Sequence, residues 1–236
     1  PDSPFTELKV RQAVNYAIDR EAVAKAIGFG FVQPANQPVP PGHWSYNPAI
    51  QGYPYNPAKA KQLLAEAGHP KGFKTKIIFP VGMPAVQAAM TAVAGYLKEV
   101  GIDAELEVAG PGAFVNYVQQ GWNNALIFST AGIEGGNEPA AALITEFSSR
   151  PVRWVSLAHP ADLENKLVQA ISDPDFEARK KITQEAMKLI IDDYCLLGPI
   201  YVDPALMATS LKAHDVGLGR DPAFGKWAPA DMWLSK

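Results

Sequence analysis

Between Phe73 and Phe128 the chain switches repeatedly between strand-like and helix-like hydrophobic spacing, and this stretch constrains the fold more than any other. Phe73 to Phe79 reads as a strand. Pro84 to Val100 carries Val86, Met90, Val93, Leu97 and Val100 at helical spacing, an amphipathic helix that Gly101 ends. Ile102-Asp103-Ala104-Glu105-Leu106-Glu107-Val108 then alternates residue by residue, as a strand does with one apolar face buried and one acidic face outward. Phe114 to Gln119 predicts a short helix. Ala125-Leu126-Ile127-Phe128 is short and continuously apolar, which suits a central strand covered on both faces. Strand, helix, strand, helix, strand in this order predicts an α/β fold with a largely parallel central sheet flanked by helices.

Helices are expected on both sides of this block. Leu8 to Ile18 places Val10, Val14, Ala17 and Ile18 on one stripe, and Asp19 is placed to cap a second helix, Arg20 to Ile27. Phe31 to Pro54 is proline-rich and aperiodic. It reads as a long ordered loop, because Phe31, Trp44, Tyr46 and Tyr53 need somewhere to pack. Asn56-Pro57 is a helix start and Gly68 its stop. Further helices are predicted over Pro139 to Phe147, Pro160 to Ile171 and Pro174 to Tyr194, and a strand over Tyr194 to Val202, interrupted by Gly198-Pro199 as an edge or bulge.

With 236 residues, 47% of them apolar, the chain can bury a substantial core. Net charge is −3, from 21 basic and 24 acidic residues, which gives no electrostatic reason to expect nucleic acid as a partner. Cys195 is the only cysteine, so no intrachain disulfide forms; in its apolar run it reads as a buried, inert thiol. No stretch is apolar enough to span a bilayer. The start, Pro1-Asp2-Ser3-Pro4, lacks the basic and apolar regions of a signal peptide. In a piece of a longer chain that lack says nothing of address.

Catalytic and cofactor signatures are missing. His43, His69, His159 and His214 are not spaced as metal ligands. Gly28-Phe29-Gly30 follows a helix rather than a strand, so it lacks the context of a dinucleotide loop. There is no Walker loop and no G-x-S-x-G elbow. Asp192-Asp193 reads as a solvated turn, not a carboxylate pair, since helix neighbours do not face each other. No cofactor is expected.

The segment Val10-Arg11-Gln12-Ala13-Val14-Asn15-Tyr16-Ala17-Ile18-Asp19-Arg20-Glu21-Ala22-Val23 resembles a signature of the family 5 extracellular solute-binding proteins, the oligopeptide/dipeptide/nickel group that feeds ABC importers. A second motif of that family is matched by the stretch from Tyr53-Pro54-Tyr55-Asn56-Pro57 to Glu66-Ala67-Gly68. The block from Phe73 to Val108 has the family's order and lengths, and Trp227-Ala228-Pro229-Ala230-Asp231-Met232-Trp233-Leu234 is similar to its closing segment. The resemblance implies a periplasmic-binding-protein-like lobe of type II. Residues 1–204 would be the C-terminal solute-binding lobe, and 205–236 a tail that in the family returns to the N-terminal lobe. In the family the signature lies deep in the protein, so the chain is expected to lack most of that first lobe. It further implies a non-enzymatic substrate-binding component for peptides or other small solutes, periplasmic or extracellular and membrane-associated. Its partners would be the membrane permease and the N-terminal lobe. Without that lobe the tail is expected to be mobile, to fold back, or to pair with another copy.

Solutes in such lobes meet the loops at the carboxyl ends of the strands, here Phe79 to Met83 and Ser129 to Asn137. In dipeptide-type relatives these loops tend to supply an arginine for a carboxylate and an aspartate for an amine. Here the first has no cation and the second has only Glu134. The expected solute is therefore less zwitterionic than a dipeptide, and the absence of histidine from both loops disfavours a nickel chelate. Candidate contacts are Ser129, Thr130, Glu134, Asn137 and Met83, although Ser129 to Asn137 is equally readable as a plain polar loop. Trp44 and Trp122 are candidate aromatic walls or, alternatively, core or hinge packing. Two other functions stay open: an α/β enzyme with an unrecognised site, and a stand-alone interaction or sensor module.

Overall fold

The computed structural model of the chain describes residues 3–129, 138–149, 153–202, 208–216 and 232–235. Helices α1 (Leu8–Ala17) and α2 (Arg20–Gly28) meet at Asp19, whose Oδ1 accepts the Ala22 N–H at 2.9 Å. Asn56 caps α3 (Pro57–Glu66) in the same way, accepting from Lys59 N–H at 2.9 Å. These side chains satisfy amide donors that a helix start leaves open.

The sheet follows. Strand β2 (Phe73–Pro80) runs between β3 (Ile102–Ala109) and β4 (Ala125–Ile127), parallel to both, with α4 (Pro84–Glu99) and α5 (Pro111–Gln120) as crossovers. Register runs from Phe73↔Ile102 to Pro80↔Ala109 on one side and from Lys76↔Ala125 to Ile78↔Ile127 on the other. Gly72 and Gly101 sit where β2 and β3 begin. A Cβ on Gly72 would lie 1.8 Å from the Gly101 carbonyl oxygen, and both residues have positive φ, so the approach requires glycine.

One face of the sheet is packed by α1, α3 and α4 around Val10, Ala13, Leu64, Ile77, Phe79, Met90, Val93, Leu97 and Ile102. Each large apolar side chain fully buried here contributes about 1.5–3 kcal/mol. The other face is covered more thinly, by Phe114, Tyr117 and Trp122 against Ile78, Ala109 and Ala125. There the alternation of β3 puts Asp103 and Glu105 in solvent, and Glu107 meets Lys76 Nζ at 2.8 Å and the Tyr117 hydroxyl.

A second core joins α6 (Pro139–Phe147), α7 (Ala161–Ser172) and α8 (Phe176–Lys188) through Leu143, Phe147, Leu163, Leu167, Ala186 and Met187. The proline-rich stretch from Phe31 to Pro54 is held by buried amides: Gln37 and Asn47 exchange two bonds, and Asn47 Nδ2 donates to Gln184 O at 2.7 Å.

Three expectations are corrected. Ala125 to Phe128 is not central: among the described residues β4 is an edge, and β2 is the strand paired on both sides. A continuous apolar run reports burial but not the number of strand neighbours. The helix expected to reach Tyr194 ends at Lys188 and widens into a π turn over Leu189–Asp193, closed by Tyr194 N–H to Leu189 O at 2.8 Å. Tyr194 to Val202 is not a strand either. Cys195 has φ of 49°, which breaks extension, and only β5 (Tyr201–Val202) pairs, antiparallel to β1 (Gln33–Pro34). In the tail, β6 (Ala213–His214) pairs antiparallel with β7 (Trp233–Leu234), while Trp227 lies outside the described residues. No helix among the described residues is long and apolar enough to cross a membrane.

Candidate functional site

A cavity of about 1150 Å³ opens beside β4. The sheet supplies one wall, Ile77 and Leu126 to Ser129. The turn into α4 supplies Gly82 to Val86, the α1 face supplies Arg11, Val14, Asn15 and Ile18, and the stretch from Cys195 to Val202 stands opposite. Most of this lining is apolar.

Its polar side chains are nearly all engaged. Arg11 donates from Nε and Nη2 to Tyr194 O at 3.1 and 2.9 Å, and from Nη1 to Phe5 O and Thr6 O, both at 2.8 Å. Asn15 donates to Arg11 O and to Cys195 Sγ, both at 3.1 Å, while its Oδ1 accepts from Arg20 Nη2 at 2.6 Å. Just behind the wall, Arg20 also donates to Pro199 O at 2.6 Å, Asn15 O at 2.9 Å and Tyr53 O at 3.0 Å. Every one of these acceptors except the thiol is a carbonyl oxygen; no carboxylate takes part. Burial pushes the Arg20 guanidinium down to about 10, and the Cys195 thiol and Tyr53 hydroxyl up. The thiol is therefore protonated at neutral pH and a poor nucleophile.

What remains free is main chain. Phe128 N–H donates to Ile78 O at 2.8 Å, so strand alternation turns the N–H and C=O of Ile127 away from β2. They have no backbone partner among the described residues, and Ile127 is part of the cavity lining. Ser129 and Asn123, also in the lining, carry no side-chain hydrogen bond among the described residues. Trp122 closes the far end, its ring edge-on to Trp154 at 6.0 Å and its Nε1 donating to Ala125 O at 2.9 Å. Trp122 also borders a shallower groove of about 300 Å³ on the opposite face of the sheet, with Lys74, Lys76, Glu105 and Glu107.

Of the residues singled out from sequence, Met83 and Ser129 lie together in the lining, and Trp122 joins them. Thr130, Glu134 and Asn137 lie outside the described residues. Trp44 is elsewhere, stacked on His43 at 5.8 Å and tilted against Phe176 at 5.3 Å. Sequence reasoning missed Arg11 and Asn15. The available signal was two polar residues four apart on the margin of an apolar helix stripe.

The profile of the bacterial extracellular solute-binding proteins, family 5 Middle, matches residues 2–152. Heme-binding protein A of Haemophilus influenzae is 58% identical over 73 residues, 31% of this chain and 13% of that protein. The dipeptide-binding protein of Escherichia coli K12 is 34% identical over 215 residues, covering 84% of this chain and 39% of that protein. The structure of HbpA2 from Haemophilus parasuis superimposes with a TM-score of 0.81 at 23% identity, covering 98% of this chain and 46% of that one. The chain thus spans less than two fifths of the length of these curated relatives.

Proposed function

Because this chain belongs to the bacterial extracellular solute-binding proteins of family 5, we propose that it is a solute-gripping part of an ABC importer's substrate-binding component, with a peptide-like solute. The observation that carries this is the unused main chain of Ile127 at a sheet edge beside a mostly apolar cavity. An extended peptide bonds its own N–H and C=O groups to such an edge and places alternate side chains in the apolar space. The printed name of the Escherichia coli relative, a dipeptide-binding protein, agrees with that class.

Among the described residues Arg11 is the charged residue of the lining, and its hydrogen bonds all go to carbonyls. Four of its five N–H donors are thereby used, which leaves a single Nη2 N–H and no two-bond fork for a solute carboxylate, so the favoured solute carries little charge against this wall. Ser129 and Met83, which line the cavity, touch the solute, and so do Thr130, Glu134 and Asn137, the candidates that follow Ser129 in sequence. The protein works without catalysis: the one thiol is buried and protonated, with no histidine beside it in the lining. A further lobe completes the cleft, a membrane permease receives the solute, and the protein is periplasmic or extracellular at a membrane.

Titration calorimetry of the 236-residue chain with N-acetyl-Leu-Leu-amide and with free Leu-Leu tests this. Binding is expected to be weaker than micromolar, because the contacts made on closure by the other lobe are missing. The blocked peptide is expected to bind at least as tightly as the zwitterion. Sub-micromolar affinity for either peptide rejects the half-site, and no binding of either at millimolar concentration rejects the peptide class.

A further inference from the structure

Arg11, Asn15 and Arg20 all reach the same distant stretch of chain. Arg11 holds its start at Tyr194 O, Asn15 touches its second residue at Cys195 Sγ, and Arg20 holds its end at Pro199 O. That stretch has no sheet partner before Tyr201. Gly198 packs so closely on Asn15 that a Cβ would fall 2.8 Å from Asn15 Oδ1. Cys195 to Pro199 are also the cavity wall that faces the sheet. An irregular wall without a ladder of its own is therefore located by side chains from α1 and the first residue of α2, beside the single backbone bond from Leu196 N–H to Ile190 O at 2.8 Å.

We propose that Arg11 and Arg20 are positioning residues of the solute cavity: by gripping the carbonyls of Tyr194 and Pro199 they set where the opposite wall stands, and so how tightly a solute is held. This rests on the solute-binding reading above. The planar fork of arginine suits the task, because one side chain serves several chain segments at fixed angles. Arg20 joins Asn15, Tyr53 and Pro199 at once. A lysine has the charge without the fork.

The lone thiol supplies a readout that needs no solute. Cys195, at the start of this wall, is 2% exposed, and its reaction with the aromatic disulfide DTNB reports local opening. Arg11→Lys and Arg20→Lys are each expected to speed labelling about tenfold, the factor that one net hydrogen bond contributes. That rate must exceed what global unfolding, measured in urea, permits. Both variants are expected to weaken N-acetyl-Leu-Leu-amide binding about five- to tenfold at a temperature well below their melting. A purely structural role lowers melting but leaves the affinity of the folded fraction unchanged. Lys180→Ala, on an exposed helical pair, serves as the control and changes neither. If a lysine variant does not fold, Gly198→Ala keeps both arginines, crowds Asn15, and must speed labelling as well. Unchanged labelling, or faster labelling with unchanged affinity, overturns the proposal. If the native chain binds neither peptide, the solute reading fails, and labelling alone decides whether these arginines position the wall.

Discussion

The two walls of the cavity are built in opposite ways. The α1 side and the stretch it holds are rich in strong donors, yet most of those donors already have partners: the bonds of Arg11 and Arg20 run to carbonyl oxygens and an amide of the chain itself. The β4 side has almost no side-chain chemistry among the described residues, yet its main chain at Ile127 has no partner among them. The contrast teaches that a polar residue in a lining is not thereby a recognition group. What counts is the hydrogen-bonding capacity left over after the fold has used its share.

The largest test of this comparison sets Arg20→Ala against Ser129→Ala. Removing the guanidinium strands several part-buried carbonyls, each worth about 1 kcal/mol net, so a loss of about 3 kcal/mol or more is expected in urea unfolding. Ser129→Ala on the other wall is expected to stay within about 0.5 kcal/mol. Equal losses would break the comparison. A sharper, smaller test uses the strand period. Proline at Leu126 removes an N–H on the β2 side of the edge strand; proline at Ile127 removes one that points away. Leu126→Pro is therefore expected to cost about 1–3 kcal/mol more than Ile127→Pro by thermal melting. The reverse order would place the open edge elsewhere.

The smallest effect belongs to the far face of the sheet, where a contact does titrate. Hydrogen bonds from Lys76 and Tyr117 hold the Glu107 carboxyl below its ordinary value of 4.5. A carboxylate lowered on folding stabilises fully above that value and loses its contribution as pH falls through the lowered one. Melting of the native chain is expected to drop slightly more between pH 5 and 3 than melting of Glu107→Gln. Identical slopes would show that this exposed contact contributes nothing, as many surface pairs do.

Much of the fold was legible because local signals agreed. Asp19 and Asn56-Pro57 mark helix starts, Gly68 and Gly101 mark stops, and the alternation of β3 matches its burial from Ile102 to Leu106 but not at Val108, which is exposed. The edge position of β4 was not legible, since Ala125 to Ile127 would be equally apolar with one neighbour or two. The irregularity of Tyr194 to Ile200 hid behind an apolar run. Its cause is Cys195 in the left-handed region, a residue type that gives no warning of it. A rule about strand ends pointed to Met83 and Ser129, and both line the cavity. The partners of Arg11 could not be found that way, because Tyr194 lies 183 residues along the chain.

Those neutral partners carry one further consequence. A grip formed by guanidinium on amide oxygens contains no group that changes charge between strongly acidic and mildly alkaline conditions, even with the Arg20 value pulled down to about 10. It also contains no ion pair for dissolved salt to screen. Across changes of acidity and ionic strength in the surrounding medium, the Tyr194 to Pro199 wall should keep its place while exposed contacts such as Lys76–Glu107 weaken.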